Sequence, residues 1–378
     1  MVINQQLTKR FRKTIDLSIV VRRFSEKGMR MSAKAEINLD EHSLITSALI
    51  KSHVDTATEI VDQIELTEQT ARLALILDLA YQGFVGGEPA ATIVHRLAGR
   101  LHELRAKASP AVWRQLIPVA QQHRVAEYLL QDPFTRWSFE KPRGYSGDAT
   151  LLDIYYKHHS ADEIVASSTP LGQEIYAYTS EAASSVAGRE RRDILARTVD
   201  ETARRVENAE VLAIACGHMR EAELSETLAA GKLKRWVGLD QDPISVGTVN
   251  RDLAGTAVEA IDGSVRGILR RAYKLGTFDL VYASGLYDYL PRAIGIRLLQ
   301  RAMELVKPGG EFLFANFSDE ITTDGYMETF MDWPLILRSA DDMWDIINSA
   351  LDRNSIEAQV YYGSNRNIVY GMIRKRGF

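Results

Sequence analysis

One stretch of the chain, residues 211–240, constrains the fold more than any other. It reads VLAIACGHMREAELSETLAAGKLKRWVGLD: an apolar run, a tight turn of small residues, a helical pattern, and a second apolar run that ends in Asp240. This order predicts a βαβ unit with parallel strands. The small-residue turn lets backbone approach a ligand closely, and a carboxylate at the tip of the second strand can accept both hydroxyls of a ribose. The stretch therefore predicts a site for an adenosine-bearing cofactor.

The C-terminal half continues this alternation of strands and helices. Strands are predicted at Val211–Ala215, Trp236–Asp240, Ala257–Asp262, Phe278–Ser284 and Glu311–Phe317, with helical patterns between them. Two further strand-like runs, residues 359–364 and 367–373, are joined by a short turn and predict a hairpin. The sequence thus predicts an α/β fold whose mainly parallel sheet ends in an antiparallel hairpin.

The N-terminal half is helical in pattern. Over residues 42–131 apolar side chains recur at spacings of three and four, which gives each helix one apolar face. We predict a basic arm over residues 1–40, a helical domain with a lid over 41–205, and a cofactor-binding catalytic domain over 206–378.

The basic arm carries most of the uneven charge of the chain. Residues 1–35 contain nine Lys and Arg but only Asp16 and Glu26, so they carry +7 while the remaining chain carries −11. We interpret this segment as a solvated arm; contact with a membrane surface or an acidic partner is the alternative.

Composition sets a few further limits. Charged residues make up 25% and apolar residues 46% of the 378 positions, as in ordinary globular proteins, and a net charge of −4 gives no general attraction to nucleic acid. Cys216 is the only cysteine, so an intramolecular disulfide and a cysteine-rich metal site are impossible, and we predict no metal.

Since no apolar stretch is long enough to span a bilayer, we expect a cytoplasmic protein with a small-molecule partner. The oligomeric state is not given by the sequence.

Three segments together resemble the class I S-adenosylmethionine-dependent methyltransferases. They are residues 211–240, FDLVYASGLYDYLP at 278–291 and ELVKPGGEFLFANF at 304–317. The resemblance implies a Rossmann-like sheet, S-adenosylmethionine as the cofactor, and methyl transfer as the activity. These enzymes end their sheet with an antiparallel hairpin. A nicotinamide dehydrogenase would instead continue with parallel strands and carry G-x-G-x-x-G, which this sequence lacks.

The cofactor loop matches the family pattern in part. In the family the first strand ends in an acidic residue and leads into a G-x-G-x-G loop. Ala213 stands at the position of the acid, Ala215 and Met219 stand at the first and third glycines, and Gly217 keeps the second. Gly217 still allows close approach of the backbone to a ligand.

The resemblance also assigns individual cofactor contacts. They involve Ala215, Gly217, Asp240, Gln241, Asp262, Gly263 and Ser284. Asp240 is expected at the ribose hydroxyls, Gln241 beside the adenine, and Asp262 at the adenine amino group. Capping of the following helix is the alternative role for Asp262.

A second motif, PRGYSGD at residues 142–148, lies upstream of the first strand. Together with the cofactor loop and the segment near Trp333, it resembles bacterial methyltransferases that make the methyl ester of 3-hydroxypalmitic acid, over residues 120–378. Arg143 can clamp the cofactor carboxylate bidentately. Tyr145 can face the sulfonium, where cation–π attraction in a dry pocket contributes about 2 kcal/mol. Asp148 is a candidate partner of the cofactor ammonium.

The catalytic requirement depends on the acceptor. For a carboxylate acceptor, positioning and desolvation suffice, whereas a hydroxyl acceptor needs a base. The candidate catalytic residues are Tyr145, Tyr176, His218 and Asp288. A loop role is the alternative for His218, and core packing for Tyr176 or Tyr178. The aromatic and Met-rich segment 318–343 is expected to cover an apolar acceptor.

The sequence therefore predicts a methyltransferase that acts on an oxygen of a small molecule, for which the resemblance suggests a carboxylate like that of a fatty acid. Two alternatives stay open. On the same fold, the methionine amine of the cofactor can attack its own γ-carbon, which gives azetidine-2-carboxylate and methylthioadenosine. A non-catalytic module with a degenerate loop would account for Ala213 and Met219, although Asp240 and Asp262 are retained.

Overall fold

One seven-stranded sheet organises the described residues, which are Thr46 and 61–377 of this computed structural model. Its strands are β1 (Ala209–Ile214), β2 (Leu233–Asp240), β3 (Val258–Asp262), β4 (Phe278–Ala283), β5 (Val306–Phe317), β6 (Ile356–Tyr362) and β7 (Ile368–Lys375). They lie in the order β3–β2–β1–β4–β5–β7–β6. Strands β1 to β5 pair in parallel, and β7 runs antiparallel between β5 and β6. The predicted α/β, Rossmann-like fold, with a mainly parallel sheet that ends in an antiparallel hairpin, is confirmed.

The centre of the sheet is apolar because both of its faces are covered. Every residue of β1 and of β4 is buried, as expected for parallel strands packed between helices. Ala213 of β1 pairs with Gly238 of β2 on one side and Tyr282 of β4 on the other, so the carboxyl ends of the three strands lie side by side. The strand order reverses between β1 and β4, which is where open α/β sheets bind ligands.

Helices precede the sheet and connect its strands. The first half contains α1 (Gln63–Val85), α2 (Ala90–Lys107), α3 (Pro110–Gln122), α4 (Ala126–Leu129), α5 (Pro133–Glu140), α6 (Ala149–Tyr156), α7 (Asp162–Ala166), α8 (Pro170–Thr179) and α9 (Ala183–Arg205). The second half contains α10 (Glu226–Ala229), α11 (Pro243–Asp252), α12 (Val265–Leu269), α13 (Arg292–Leu305), α14 (Asp324–Thr329) and α15 (Ala340–Ala350). Within the described ranges, none of these helices has the length and apolar character needed to cross a bilayer. The predicted basic arm over 1–40 and the helical pattern over 42–60, apart from Thr46, lie outside the described residues.

A partly buried ionic cluster joins the helical half to the segment after β5. Arg105 of α2 pairs with Asp324 at 2.9 Å and with Glu328 at 2.8 Å, both on α14. His102 contacts Asp324 at 2.7 Å, and Nε1 of Trp113 donates to Glu328 at 2.6 Å. Because breaking a buried ion pair leaves an uncompensated charge, the cluster fixes α14 against α2 and α3.

The predicted domain boundary at residues 205–206 falls between α9 and β1. The described residues from 61 to 377 nevertheless belong to one compact unit. The division into a separate helical domain and a catalytic domain therefore stays a prediction.

Replacing Gly371 by Ala tests how closely β7 packs on β5. A Cβ at Gly371 would overlap the buried ring of Phe314. We expect Gly371→Ala to lower the free energy of unfolding by about 1–3 kcal/mol, the usual cost of overpacking a core. Urea unfolding followed by circular dichroism measures the change.

Gly247→Ala is the matched control. Gly247 lies on the exposed side of α11, and a Cβ there meets no described atom within 4 Å. We expect this variant to be unchanged or more stable by up to about 1 kcal/mol, because Ala favours a helix. An equal loss in both variants would contradict the packing of β7 on β5.

Candidate active site

A cleft opens at the carboxyl ends of β1, β2 and β4, where the strand order reverses. The residues predicted from the sequence that line it are Tyr145, Ala215, Gly217, His218, Asp240, Gln241, Ser284 and Asp288. The predicted residues outside its lining are Arg143, Tyr176, Asp262 and Gly263. The fold therefore brings together the cofactor loop, the ends of β2 and β4, and the loop that carries Tyr145.

The loop after β1 makes a tight turn in which two of the three left-handed residues are not glycine. Ala215, Gly217 and Met219 all have positive φ, at +53°, +55° and +50°. This backbone costs on the order of 1–3 kcal/mol for a residue with a side chain. Met219 is buried, and a Cβ at Gly238 of β2 would lie 2.5 Å from its sulfur. Gly238 thus supplies the room that the side chain of Met219 needs.

Asp240 at the end of β2 is a buried carboxylate held by two backbone groups. Its Oδ2 accepts the N–H of Gly217 at 2.8 Å, and its Oδ1 accepts the N–H of Asp242 at 2.9 Å. Burial raises the pKa of Asp240, and these two hydrogen bonds oppose the rise. A carboxylate oxygen has two lone pairs, so each oxygen keeps one position for a further hydroxyl donor.

Asp262 and Gly263 lie beside Asp240 but outside the lining of the cleft. Asp262 is the register partner of Asp240 on β3 and is exposed, and Gly263 donates its N–H to the Asp240 carbonyl oxygen at 2.8 Å. The hydroxyl of Ser264 accepts the N–H of Gly267 and caps α12. The alternative role of Asp262 as the cap of this helix is therefore wrong.

The loop at residues 142–148 is tied to the tip of β2 by Arg143. Its Nη2 forms a buried ion pair with Oδ2 of Asp242 at 2.9 Å. The predicted role of Arg143 as a clamp for a ligand carboxylate is corrected here, because its charge is neutralised inside the protein and it does not line the cleft. A Cβ at Gly147, where φ is +80°, would overlap Oη of Tyr289, so only glycine allows this approach.

Of two further residues in this motif, Tyr145 lines the cleft and Asp148 does not. Tyr145 is buried in the lining of the cleft, and burial together with the Asp240 carboxylate holds the pKa of its phenol well above the usual range. Tyr145 is therefore a neutral ring rather than a base at physiological pH. The Asp148 carboxylate caps α6 and accepts a hydrogen bond from Nε1 of Trp137 at 2.9 Å. Its hydrogen-bond donors therefore come from within the protein.

A buried carboxylate that the sequence did not reveal joins α6 to the cofactor loop. Asp153 accepts Nε and Nη2 of Arg220, each at 2.9 Å, and contacts Nδ1 of His218 at 2.8 Å. Burial raises the pKa of Asp153, but the hydrogen bonds from His218 and Arg220 outweigh it and hold this pKa well below its usual range. The ionised carboxylate therefore fixes Nδ1 of His218 as a donor. Nε2 of His218 is buried and meets no hydrogen-bond partner among the described residues.

Arg191 of α9, also missed from the sequence, brings a buried positive charge to the tips of β4 and β5. Its Nη1 donates to the carbonyl oxygen of Ser284 at 2.9 Å and lies 3.8 Å from Oδ2 of Asp288. Oδ1 of Asp288 accepts the N–H of Phe317 at 2.6 Å. Burial raises the pKa of Asp288 to about 6, although Arg191 and the Phe317 N–H lower it. Within the charged run GRERRD, Arg191 resembles any solvated helix residue, so no local signal distinguishes it.

Tyr176 does not reach the cleft. Its hydroxyl donates to the carbonyl oxygen of Ile154 at 2.7 Å, which packs α8 against α6. Burial raises the pKa of Tyr176 to about 12. The predicted catalytic role of Tyr176 is corrected to a packing role, which was its alternative.

The segment after β5 belongs mainly to the core. The buried apolar side chains of residues 318–343 are Ile321, Tyr326, Met327, Phe330, Met331, Trp333, Leu335 and Met343. A Cβ at Gly325 would lie 2.6 Å from the backbone of Leu101 in α2, so α14 packs directly on that helix. Of these apolar side chains, Trp333 lines the cleft, where its Nε1 donates to Oη of Tyr289 at 2.9 Å. The segment therefore covers the cleft at one point rather than along its length.

Comparisons with known proteins give structural likeness at low sequence identity. No protein-family model matches the chain, and no curated protein does. A possible exported protein from Bordetella parapertussis has 17% identity and a TM-score of 0.49 over 82% of this chain and 97% of its own. The N-methyltransferase NodS from Bradyrhizobium japonicum WM9, in complex with S-adenosylhomocysteine, has 16% identity and a TM-score of 0.36 over 52% and 89%. The plantazolicin methyltransferase BpumL, also in complex with S-adenosylhomocysteine, has 8% identity and a TM-score of 0.40 over 60% and 95%. At these TM-scores the likeness carries nothing about ligands, and the fold of this chain rests on its own strand order.

Replacing Asp153 by Asn tests the buried ion pair that connects α6 to the cofactor loop. The variant keeps the size of the side chain but leaves the buried Arg220 without its bidentate carboxylate. We expect a loss of about 3 kcal/mol in the free energy of unfolding at pH 7, measured by urea unfolding. Because the pKa of Asp153 is lowered from 3.8 in the folded state, this contribution is present above that pH and should fade as the pH falls below it.

Asp193→Asn is the control for this prediction. Asp193 pairs with its neighbour Arg192 at the surface, at 2.9 Å with 44% of its side chain exposed, so its loss should change stability by less than about 0.5 kcal/mol. Equal stability of the Asp153 variant and the wild type at neutral pH would contradict the structural role of Asp153.

Proposed function

We propose that this protein binds S-adenosylmethionine in the cleft and transfers its methyl group to an oxygen of a small molecule. The observation that carries the proposal is the Asp240 carboxylate. It lies at the tip of β2 beside a tight backbone turn, and each of its oxygens keeps one acceptor position. A ribose offers two neighbouring hydroxyl donors, which is the group this arrangement fits. The sulfonium of the bound cofactor would supply an activated methyl group.

Tyr145 supports binding of a sulfonium. Its ring is buried, neutral and close enough to the Asp240 carboxylate for that charge to raise its pKa. A cation beside such a ring gains on the order of 2 kcal/mol when water is excluded. Gly147 and Trp333 hold this part of the cleft closed through their contacts with Tyr289.

His218 supports binding of the amino-acid end of the cofactor. Its Nε2 is a buried polar atom without a partner among the described residues, which costs about 1–3 kcal/mol unless a ligand satisfies it. The amino-acid end carries both an ammonium donor and a carboxylate acceptor, so it can partner Nε2 whether the imidazole is neutral or protonated. We therefore assign to His218 the contact that the sequence had assigned to Arg143.

A small acceptor is supported by the two-sided lining of the cleft. Tyr145, Leu152 and Tyr156 from the helical half face the strand tips across it. This enclosure favours a small molecule over a nucleic-acid duplex. The fatty-acid-like carboxylate suggested by the family resemblance gains no support from segment 318–343, since most of its apolar side chains pack in the core.

Asp240→Ala tests the proposed function. Loss of two hydrogen bonds to a charged acceptor should weaken the binding of S-adenosylhomocysteine by about 100-fold, measured by isothermal titration calorimetry. Asp345→Asn, which changes a surface ion pair, is the control and should bind like the wild type. A wild-type protein that binds neither S-adenosylmethionine nor S-adenosylhomocysteine below millimolar concentration would end the proposal.

The same protein separates methyl transfer from the cyclisation alternative. Mass spectrometry after incubation with S-adenosylmethionine alone should find the cofactor unchanged, because transfer needs an acceptor. If methylthioadenosine forms catalytically under these conditions, the protein cyclises the cofactor, and the proposal of methyl transfer is wrong.

His218→Asn tests the assignment of the amino-acid end. The Asn side-chain amide can replace Nδ1 of His218 as the donor to Asp153, but it offers nothing in place of Nε2. We expect the affinity for S-adenosylhomocysteine to fall about tenfold, which corresponds to one lost hydrogen bond. The affinity for methylthioadenosine, which lacks the amino-acid end, should not change. A parallel loss for both ligands in calorimetry would refute the assignment.

A further inference from the structure

The tips of β4 and β5 present a further buried carboxylate to the cleft. Asp288 lies in the short helical turn Tyr287–Tyr289 that follows β4, lines the cleft and is 2% exposed. Its Oδ1 is fixed by the N–H of Phe317, at 2.6 Å, so the side chain is held between two strand ends. Among the described residues, Oδ2 has no hydrogen-bond donor, and its ion-pair partner Arg191 lies at 3.8 Å. One oxygen of Asp288 is therefore anchored and the other keeps its lone pairs for a ligand.

The neighbours of Asp288 keep it in place without occupying Oδ2. Arg191 donates to the carbonyl oxygen of Ser284 rather than to Asp288, and its guanidinium lies 5.7 Å from the centre of the Phe317 ring. Arg338, from the segment after β5, donates to the carbonyl oxygens of Tyr287 at 2.6 Å and Leu290 at 2.5 Å, which fixes the turn that carries Asp288.

The other groups that face Asp288 are phenols. Burial raises the pKa values of Tyr155, on α6, and of Tyr289, in the turn that carries Asp288. The negative charge of Asp288 raises both values further. They stay protonated at physiological pH. The charged groups that face Asp288 from its surroundings are thus Arg191 and Arg338.

We propose that Asp288 is the general base of the methyl transfer and that the acceptor is a hydroxyl group, of an alcohol or a phenol, rather than a carboxylate. The inference rests on the proposed function. Oδ2 of Asp288 accepts the proton of the hydroxyl as the hydroxyl oxygen forms a bond to the methyl carbon. The bond between that carbon and sulfur breaks with its electron pair going to sulfur, so the products are a methyl ether, a neutral thioether and a protonated Asp288.

The same geometry disfavours a carboxylate acceptor. A second carboxylate at Oδ2 would bring two like charges together in a buried site, where their repulsion is strong. A hydroxyl, in contrast, donates the hydrogen bond that Oδ2 lacks. His218 is not the base in this arrangement, because it lies on the cofactor loop, where it is assigned to the amino-acid end of the cofactor, rather than at the tips of β4 and β5.

The acid–base state of Asp288 suits this role. Burial raises its pKa to about 6, against the lowering effects of Arg191 and the Phe317 N–H. The carboxylate is therefore ionised at neutral pH and remains basic enough to take a proton in the transition state. The rate should rise with pH up to this pKa and level off above it.

The chemistry of the product tests the acceptor class. We would incubate the wild type with S-adenosylmethionine labelled on the methyl group and equimolar mixtures of 1-decanol with decanoate and of phenol with benzoate. Methyl esters release labelled methanol in alkali, whereas methyl ethers do not. Label in alkali-stable ethers is the expected result. Label released as methanol, or no transfer to either hydroxyl, would overturn the inference.

Asp288→Asn tests the base itself. The variant should lose at least about 100-fold in ether formation at pH 8, as removal of a general base commonly does, and its residual rate should not depend on pH near 6. Glu304→Gln, which changes an exposed carboxylate on α13, is the matched control and should keep the wild-type rate. Full activity of the Asp288 variant would overturn the inference.

Two measurements that do not depend on turnover separate this inference from the proposed function. The Asp288→Asn variant should bind S-adenosylhomocysteine within threefold of the wild type; loss of binding would place Asp288 in the cofactor site and overturn the inference. A wild type that does not bind would overturn the proposed function instead. Because the pKa of Asp288 is raised from 3.8 to about 6 in the folded state, the wild type should also lose thermal stability relative to the variant as the pH rises from 3.8 to about 6, and the difference should level off above that range. A constant difference in melting temperature would contradict the buried acid.

Discussion

A buried carboxylate, Asp153, fixes the cofactor loop against the helical half of the molecule beside the cleft. It lies on α6 in the helical half, and its partners His218 and Arg220 lie in the loop after β1. Because all of these charges are removed from water, they stabilise the protein only as a set. The conformation of the cofactor loop therefore depends on a helix that precedes the sheet by more than fifty residues in the chain. The sheet alone supplies the position of the loop but not the orientation of its side chains.

Charged side chains lie at both ends of the cleft, and their surroundings differ. At the tip of β2, Asp240 is held by backbone N–H groups, and the nearby Arg143 is neutralised by Asp242. At the tips of β4 and β5, Asp288 lies beside Arg191 without a direct hydrogen bond. One end thus offers acceptors to a neutral polyol, while the other places a proton acceptor beside a fixed positive charge. A ligand that spans both ends meets different chemistry at each.

The fold could be predicted from the sequence because its signals are local. Continuous apolar runs identify β1 and β4, and Asp240 stands out as the one charge that closes such a run. Arg191 and Asp153 could not be found in this way, since their burial results from contacts with residues far away in the chain. For Arg143 the sequence predicted a ligand contact that the structure does not show. The unusual motif that contains Arg143 instead docks its loop on the tip of β2. Local patterns identify strands and their tips, whereas the partner of a long polar side chain depends on the tertiary structure.

The loop after β1 also shows how a bulky side chain is accommodated at a residue with a left-handed backbone. Met219 has a left-handed backbone, and its sulfur occupies the space above Gly238 of the neighbouring strand. The two positions are therefore coupled by volume. In this chain a side chain at position 238 would need a smaller residue at position 219, so the two positions can change only together.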